Sequence, residues 1–197
     1  MNKTVFISYS WREPSAGIVN NWLKTSLRYA TIKVSVDKDD CQYHDSIDEF
    51  EQKIGDAEMI IAVVSKPFLE SIHCMYEMAS VFEKGGEMSS RLFVIGIEEV
   101  QSEDEIRNIW REKYKTTEEA LNAEDFAREP LEKKFEQLSL IRKHLGKFLV
   151  YLSDRNRMNF TEVSKDNFNE IVKILFNNNR KNLTIPEGDL LASAIED

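Results

Sequence analysis

The stretch that decides the fold is MIIAVVSKPFLESIHCMYE, residues 59–77, in which a short apolar run leads directly into a helix opened by proline. An apolar run of this length, rich in Val and Ile, is typical of a strand that is buried on both faces of a sheet. The helix that follows carries one isolated carboxylate, Glu77, in its body. A strand followed at once by a helix is the unit from which α/β domains are built, so we expect further copies along the chain.

Four other runs resemble the first in length and composition. The predicted strands are residues 5–8, 33–36, 59–65, 92–97 and 148–152. Helical patterns over residues 18–27 and 46–54 separate the first three strands, and Gly55 is expected to end the second helix. This alternation predicts a flavodoxin-like α/β fold, a five-stranded parallel sheet with right-handed crossovers and helices on both faces.

The fourth strand is followed by more chain than a simple crossover needs. Residues 102–146 have the pattern of two charged amphipathic helices, the second beginning at Pro130, and they predict an inserted helical pair. We expect the pair to cap the sheet, and a docking surface for a partner is the alternative. A last helix is predicted over residues 163–176. The domain is thus expected to span residues 1–178, with residues 179–197 as a polar tail or linker.

Composition limits the classes of function. The 197-residue chain has 35 acidic residues and a net charge of −9, which argues against a nucleic-acid interface. No apolar stretch approaches the roughly 20 residues of a membrane-spanning helix and no signal peptide is evident, so a cytoplasmic protein without a membrane segment is expected. Cys41 and Cys74 do not have the spacing of metal ligands, so we predict reduced thiols and no metal site.

Polar residues follow the first three predicted strands. In a parallel sheet, the carboxyl ends of the strands share one rim, where open α/β folds bind their ligands. The first strand delivers Tyr9, Ser10 and Trp11 to that rim, and the cations Arg12, Lys38 and Lys66 lie near the three rim loops. These cations and the backbone N–H groups of nearby helices could hold an anionic ligand despite the acidic net charge.

Helical spacing can be applied to the helix that contains Glu77. Its apolar stripe comprises Phe68, Leu69, Ile72, Met75, Tyr76, Ala79 and Phe82. Glu77 falls almost opposite the centre of this stripe, so spacing alone predicts a solvated surface glutamate that contributes little to packing. His73 and Cys74, one turn earlier, lie on the same side as Glu77 and could line a pocket with it.

Two segments carry a resemblance to a known family. VFISYSW, residues 5–11, resembles the first signature box of TIR domains. Residues 36–77 are similar to the middle of bacterial TIR domains, including a BB-type loop and the motif S-x-x-(F/Y)-L-x-S-x-x-C-x-x-E. The resemblance is close over residues 3–98 and looser beyond them.

The resemblance implies an enzyme that cleaves the nicotinamide–ribose bond of NAD+, with NAD+ as substrate and no further cofactor. Glu77 matches the catalytic glutamate of the family. The substrate-binding positions implied in this chain are Tyr9, Ser10, Trp11, Arg12, Lys38, Asp45, His73 and Cys74. Trp11 could stack on a ring of the nucleotide or act as a hydrophobic anchor under its loop, and both interpretations stay open.

The resemblance also implies partners. TIR domains assemble with one another through the BB-type loop, residues 37–45 here, and the bacterial members act in anti-phage immunity, alone or with a sensor or effector protein. Two departures bear on activity: His73 replaces an aromatic residue, and the BB-type loop lacks its usual glycine. The alternative function is a non-catalytic TIR–TIR interaction module. Response-regulator receivers and nucleoside 2-deoxyribosyltransferases share this kind of fold, but they do not account for the SYSW and CMYE segments together.

Overall fold

The structure is a computed structural model, and it describes residues 4–14, 16–17, 21, 33–36, 54, 57, 59–86, 91–97, 102–123, 128–154 and 158–159. Its strands are β1 (Thr4–Tyr9), β2 (Lys33–Val36), β3 (Met59–Val64), β4 (Leu92–Gly96) and β5 (Met158–Asn159). Its helices are α1 (Lys66–Glu70), α2 (Ile72–Lys84), α3 (Glu103–Ala123) and α4 (Arg128–Asp154).

The strands form a parallel sheet in the order β2-β1-β3-β4-β5, which confirms the predicted parallel sheet. β1 and β3 lie side by side in its centre, with Ser8 opposite Ala62 and Tyr9 opposite Val63. Both strands are buried along nearly their whole length, which explains their continuous apolar sequence. Because the strand order changes direction between β1 and β3, their carboxyl ends border the crevice in which such sheets bind ligands.

The helix predicted after β3 is divided in two at Ser71. Ser65 caps the first helix by accepting a hydrogen bond from the Phe68 N–H at 3.3 Å. Ser71 has an extended backbone (φ −80°, ψ 125°), ends α1, and caps α2 by accepting from the Cys74 N–H at 3.4 Å. α2 ends at Gly85, whose φ of 69° strains any residue with a side chain. This double cap sets the start of the helix that contains Glu77.

The predicted strand over residues 148–152 is wrong, because these residues form the last turns of α4. A short apolar run is compatible with a strand or with a buried helix. Here Phe148, Leu149 and Leu152 continue the helical spacing of Leu138, Ile141 and Leu145, and all six side chains are buried. β5 follows at Met158–Asn159 and pairs with β4.

Two helices follow β4, and the second runs on to Asp154, beyond the predicted limit at residue 146. α3 packs on α1, and Tyr151 of α4 donates a hydrogen bond to the Leu92 carbonyl of β4. α4 lies against both α2 and α3. The ring of Phe82 in α2 contacts Phe148 and Tyr151 of α4, with centroids 6.2 and 5.8 Å apart. α2 is consequently enclosed between β1 on one side and α4 on the other.

Several predicted features lie outside the described residues. They are the BB-type loop, most of the helices over residues 18–27 and 46–54, the helix over 163–176, and the tail over 179–197. The domain limits at residues 178 and 179 therefore stay predictions. In the part of the chain that the structure does describe, none of the helices has the length and apolarity to span a membrane.

Candidate active site

The side chains of Ser8 and Glu77 meet in the interior, at the carboxyl end of β1. The Ser8 hydroxyl donates a hydrogen bond to Glu77 Oε2. Ser8 has no exposed surface and Glu77 is 3% exposed. The contact joins the end of the central strand to the middle of α2, two segments that are separated by 69 positions in the sequence. A carboxylate is thus placed next to the carboxyl ends of β1 and β3, where sheets of this topology bind their ligands.

The burial of Glu77 overturns the prediction that it is a solvated surface residue. That prediction assumed one covered face of the helix. In the structure α2 packs on β1 as well as on α4, and every residue from Cys74 to Val81 is buried. The side opposite the predicted apolar stripe is therefore also interior. A buried carboxylate is costly unless it is hydrogen-bonded, and Ser8 supplies one donor.

The residues after β1 form a turn that directs two side chains outward. The Ser10 carbonyl accepts from the Glu13 N–H at 3.1 Å, and the Ser10 hydroxyl accepts from the Arg12 N–H at 3.4 Å. Trp11 is 60% exposed and Arg12 is exposed, whereas Tyr9 and Ser10 are buried. The interpretation of Trp11 as a hydrophobic anchor under the loop is therefore wrong. The turn presents an aromatic ring and a cation to solvent at the rim, and Tyr9 belongs to the core.

The remaining predicted site residues differ in their exposure to solvent and in whether the structure describes them. His73 is exposed one helical turn before Glu77, while Cys74 is 5% exposed and lies in the main hydrophobic cluster. Lys38 and Asp45 fall outside the described residues. The structure therefore brings Glu77 near the strand end that precedes Ser10, Trp11 and Arg12, and it does not place Cys74 on an open pocket wall.

Ser8 is the site residue that sequence reasoning missed. The residue types offered one signal: Ser8 is the polar position within the buried run VFISY, where an apolar residue would be expected. A polar side chain in a strand that is covered on both faces needs a partner. The identity of that partner, Glu77, could not be obtained from local sequence.

Two side chains of α3 support the start of the Glu77 helix. The Trp110 indole N–H donates to the Leu69 carbonyl at 2.9 Å, and Lys113 Nζ donates to the Glu70 carbonyl at 2.7 Å. The last carbonyls of a helix have no partner within it, so these donors satisfy the end of α1 just before Ser71. Lys113 Nζ also lies 5.2 Å from the centroid of the Trp110 ring. Partial burial lowers the pKa of Lys113.

A separate charged cluster lies at the carboxyl end of α2. Glu83 accepts hydrogen bonds from Lys143 Nζ at 2.7 Å and from His144 Nε2, and these donors, Lys143 first, lower the pKa of Glu83. An open groove of about 510 Å³ lies beside it, lined by Phe82, Gly85, Gly86, Gly146, Lys147 and Val150. This end of α2 precedes the amino end of β4, so the groove lies away from the carboxyl strand ends next to Glu77.

In the described ranges, no three His, Cys, Asp or Glu side chains are grouped as ligands of a metal ion. The chemistry that the site offers is that of a buried carboxylate oriented by a hydroxyl, beside a turn with an exposed aromatic ring and a guanidinium.

Comparisons with known proteins agree with this fold. No curated protein matches the chain. Among solved structures, the TIR domains in the structure of the activated Roq1 resistosome directly recognizing the pathogen effector XopQ superpose with a TM-score of 0.51. That match has 15% sequence identity and covers 89% of this chain and 100% of the other, so it bears on the fold alone. The family model of the TIR domain matches residues 5–139 of the 197, and the chain therefore belongs to the TIR domain family.

Proposed function

We propose that this TIR domain is an NAD+ glycohydrolase or ADP-ribosyl cyclase in which Glu77 is the catalytic carboxylate. The observation that carries the proposal is the buried Ser8–Glu77 contact, which joins the two most characteristic segments of the chain at the carboxyl end of the sheet. Buried ionisable groups next to a ligand-binding crevice are concentrated at functional sites. An NAD+-cleaving role for Glu77 also agrees with the motif in which it stands.

The chemistry of NAD+ cleavage suits a carboxylate in this place. The bond between C1′ of the ribose and N1 of nicotinamide breaks, and its electron pair moves to the ring nitrogen, so nicotinamide leaves as a neutral molecule. The ribose becomes an oxocarbenium-like cation, which the negative charge of Glu77 stabilises. Water then bonds to C1′ and releases a proton, giving ADP-ribose. Attack by a nucleophile of the same nucleotide gives a cyclic product instead.

The turn after β1 is suited to hold the rest of the substrate. The exposed ring of Trp11 offers a stacking surface for a base, and the neighbouring Arg12 offers a cation for the diphosphate. Glu77 itself is 3% exposed, so a nucleotide reaches it only after side chains or segments around the carboxylate rearrange. We propose that TIR–TIR assembly accompanies this rearrangement.

The test compares Glu77→Gln with Glu83→Gln. Both substitutions remove one carboxylate from α2, both keep the size of the side chain, and only Glu77 lies beside Ser8. With concentrated protein and NAD+, we expect Glu77→Gln to lower nicotinamide release on the order of a hundredfold to a thousandfold. Glu83→Gln should cleave NAD+ at the rate of the unmodified chain.

Mass spectrometry of the same reactions identifies the product, because a cyclic product is lighter than ADP-ribose by one water. Cleavage by Glu77→Gln at the original rate would show that another group carries the chemistry. If the unmodified chain assembles but leaves NAD+ intact at every concentration, the interaction-module hypothesis replaces the enzyme. The likeness to TIR domains of a resistosome is the observation that favours this second candidate.

A further inference from the structure

We infer that Ser8 is a positioning residue, which orients the Glu77 carboxylate and keeps it ionised in the interior. This inference rests on the proposed function, since it concerns the same carboxylate. It goes further in that it gives a role to a buried strand residue outside the turn that is expected to meet the nucleotide.

Geometry is the first support. Ser8 lies near the carboxyl end of β1, where it pairs with Ala62 of β3, and β2 pairs with the preceding residues of β1 up to Ile7. A serine there has little freedom to move, because β3 pairs with it directly and β2 holds the strand up to the residue before it. Its hydroxyl donates to one carboxylate oxygen, Oε2 of Glu77, and thereby limits the rotation of the carboxylate. The rigid strand, and not the helix alone, thus determines how the carboxylate is presented.

The protonation state of the Glu77 carboxyl group is the second argument for this role of Ser8. Burial favours the neutral acid, whereas a donated hydrogen bond favours the carboxylate anion. Only the anion stabilises a ribosyl cation, so loss of the Ser8 hydroxyl removes both orientation and part of the preference for the active form. Other charged or titratable side chains belong to elements packed against α2 or to α2 itself. On α2 they are His73, Cys74, Tyr76, Glu83 and Lys84. On the elements packed against it they are Tyr9 of β1, Lys66 and Glu70 of α1, and Lys143, His144 and Tyr151 of α4, which contact α2.

The experiment measures the pH dependence of kcat/KM for NAD+ in Ser8→Ala. We expect a loss of roughly tenfold to a hundredfold at neutral pH, and we expect the acidic limb of the profile to move to higher pH by about one unit. The sign follows from the hydrogen bond: without its donor, the carboxylate takes up a proton more readily as the pH falls. The pH profile is then repeated with the additional substitution His73→Gln, both in the unmodified chain and in Ser8→Ala. This comparison shows whether the imidazole of His73 contributes to the acidic limb.

Two variants serve as controls. Ser80→Ala makes the same change at a buried serine of α2, whose hydroxyl donates to the Tyr76 carbonyl at 2.9 Å, and it should leave the acidic limb in place. Ser8→Thr keeps a hydroxyl at the position and should retain the limb of the unmodified chain. A role of Ser8 in folding alone would lower the melting temperature without moving the limb.

A thermodynamic double-mutant cycle gives a readout that does not depend on catalysis. The combined variant Ser8→Ala/Glu77→Gln should be destabilised by less than the sum of the two single variants, because both remove the same contact. Ser8→Cys, with its weaker donor, takes the place of Ser8→Ala if the alanine variant does not fold. Additive destabilisation, or an unmoved limb in an active Ser8→Ala, would overturn the role of Ser8 and leave Glu77 as the catalytic carboxylate. Full activity of Glu77→Gln would instead overturn the proposed function.

Discussion

The contact between α3 and the end of α1 leads to a quantitative prediction for Trp110→Phe. Trp110 is 4% exposed, and its indole N–H donates to the buried Leu69 carbonyl at 2.9 Å. Phenylalanine keeps an aromatic ring in the core but removes the donor. Leaving a buried acceptor without its partner costs about 1–3 kcal/mol, and the smaller ring adds about 1 kcal/mol of lost burial. We therefore expect Trp110→Phe to lower the free energy of unfolding by about 2–4 kcal/mol.

The matched control is Trp11→Phe, the same substitution at a side chain that is 60% exposed. It should change the free energy of unfolding by no more than about 0.5 kcal/mol. Urea unfolding followed by far-UV circular dichroism is the suitable assay, because both substitutions alter the tryptophan fluorescence. In a chain of this size, the expected loss corresponds to a fall in melting temperature on the order of 10 °C. Equal effects of the two substitutions would refute the assignment of a structural hydrogen bond to Trp110.

Three further outcomes are expected. Trp11→Ala should weaken NAD+ binding by roughly 1–3 kcal/mol with little change in melting temperature, as measured by titration and thermal unfolding; a large thermal loss with unchanged affinity would contradict this. Specific NAD+-cleaving activity should rise steeply with protein concentration, and a flat dilution series would argue against TIR–TIR assembly. The hydrogen bonds from Lys143 and His144 hold the pKa of Glu83 below its ordinary 4.5, so they stabilise the fold above that pH and are lost as the pH falls through the lower folded value. The difference in melting temperature between the unmodified chain and Glu83→Gln should accordingly shrink below pH 4.5, and a constant difference would contradict the linkage.

Local patterns in the sequence were sufficient for most of the described fold. The strands β1 to β4 were predicted to within a residue at each end, because their apolar runs and the residues that end them are adjacent in the chain. The helical pair was predicted from its periodicity for the same reason. The run over residues 148–152 failed because a short apolar segment does not distinguish strand from helix until its neighbours in space are known.

The candidate site was predictable only in part. Motif resemblance identified Glu77 and the turn after β1, but helical spacing wrongly predicted that Glu77 is exposed to solvent. Spacing reports the faces of a helix relative to one another and cannot report how many of those faces are covered. α2 is covered on two sides, by β1 and by α4, and that decided the burial of Glu77.

The sequence by itself determined the alternation of strands and helices and the motif in which the candidate carboxylate stands, since each depends on residues that are near neighbours in the chain. Tertiary structure alone decided that Ser8 meets Glu77 and that Trp110 secures the end of α1. Both contacts join segments far apart in sequence, and the packing of the whole domain, not any local propensity, brings them within hydrogen-bonding distance.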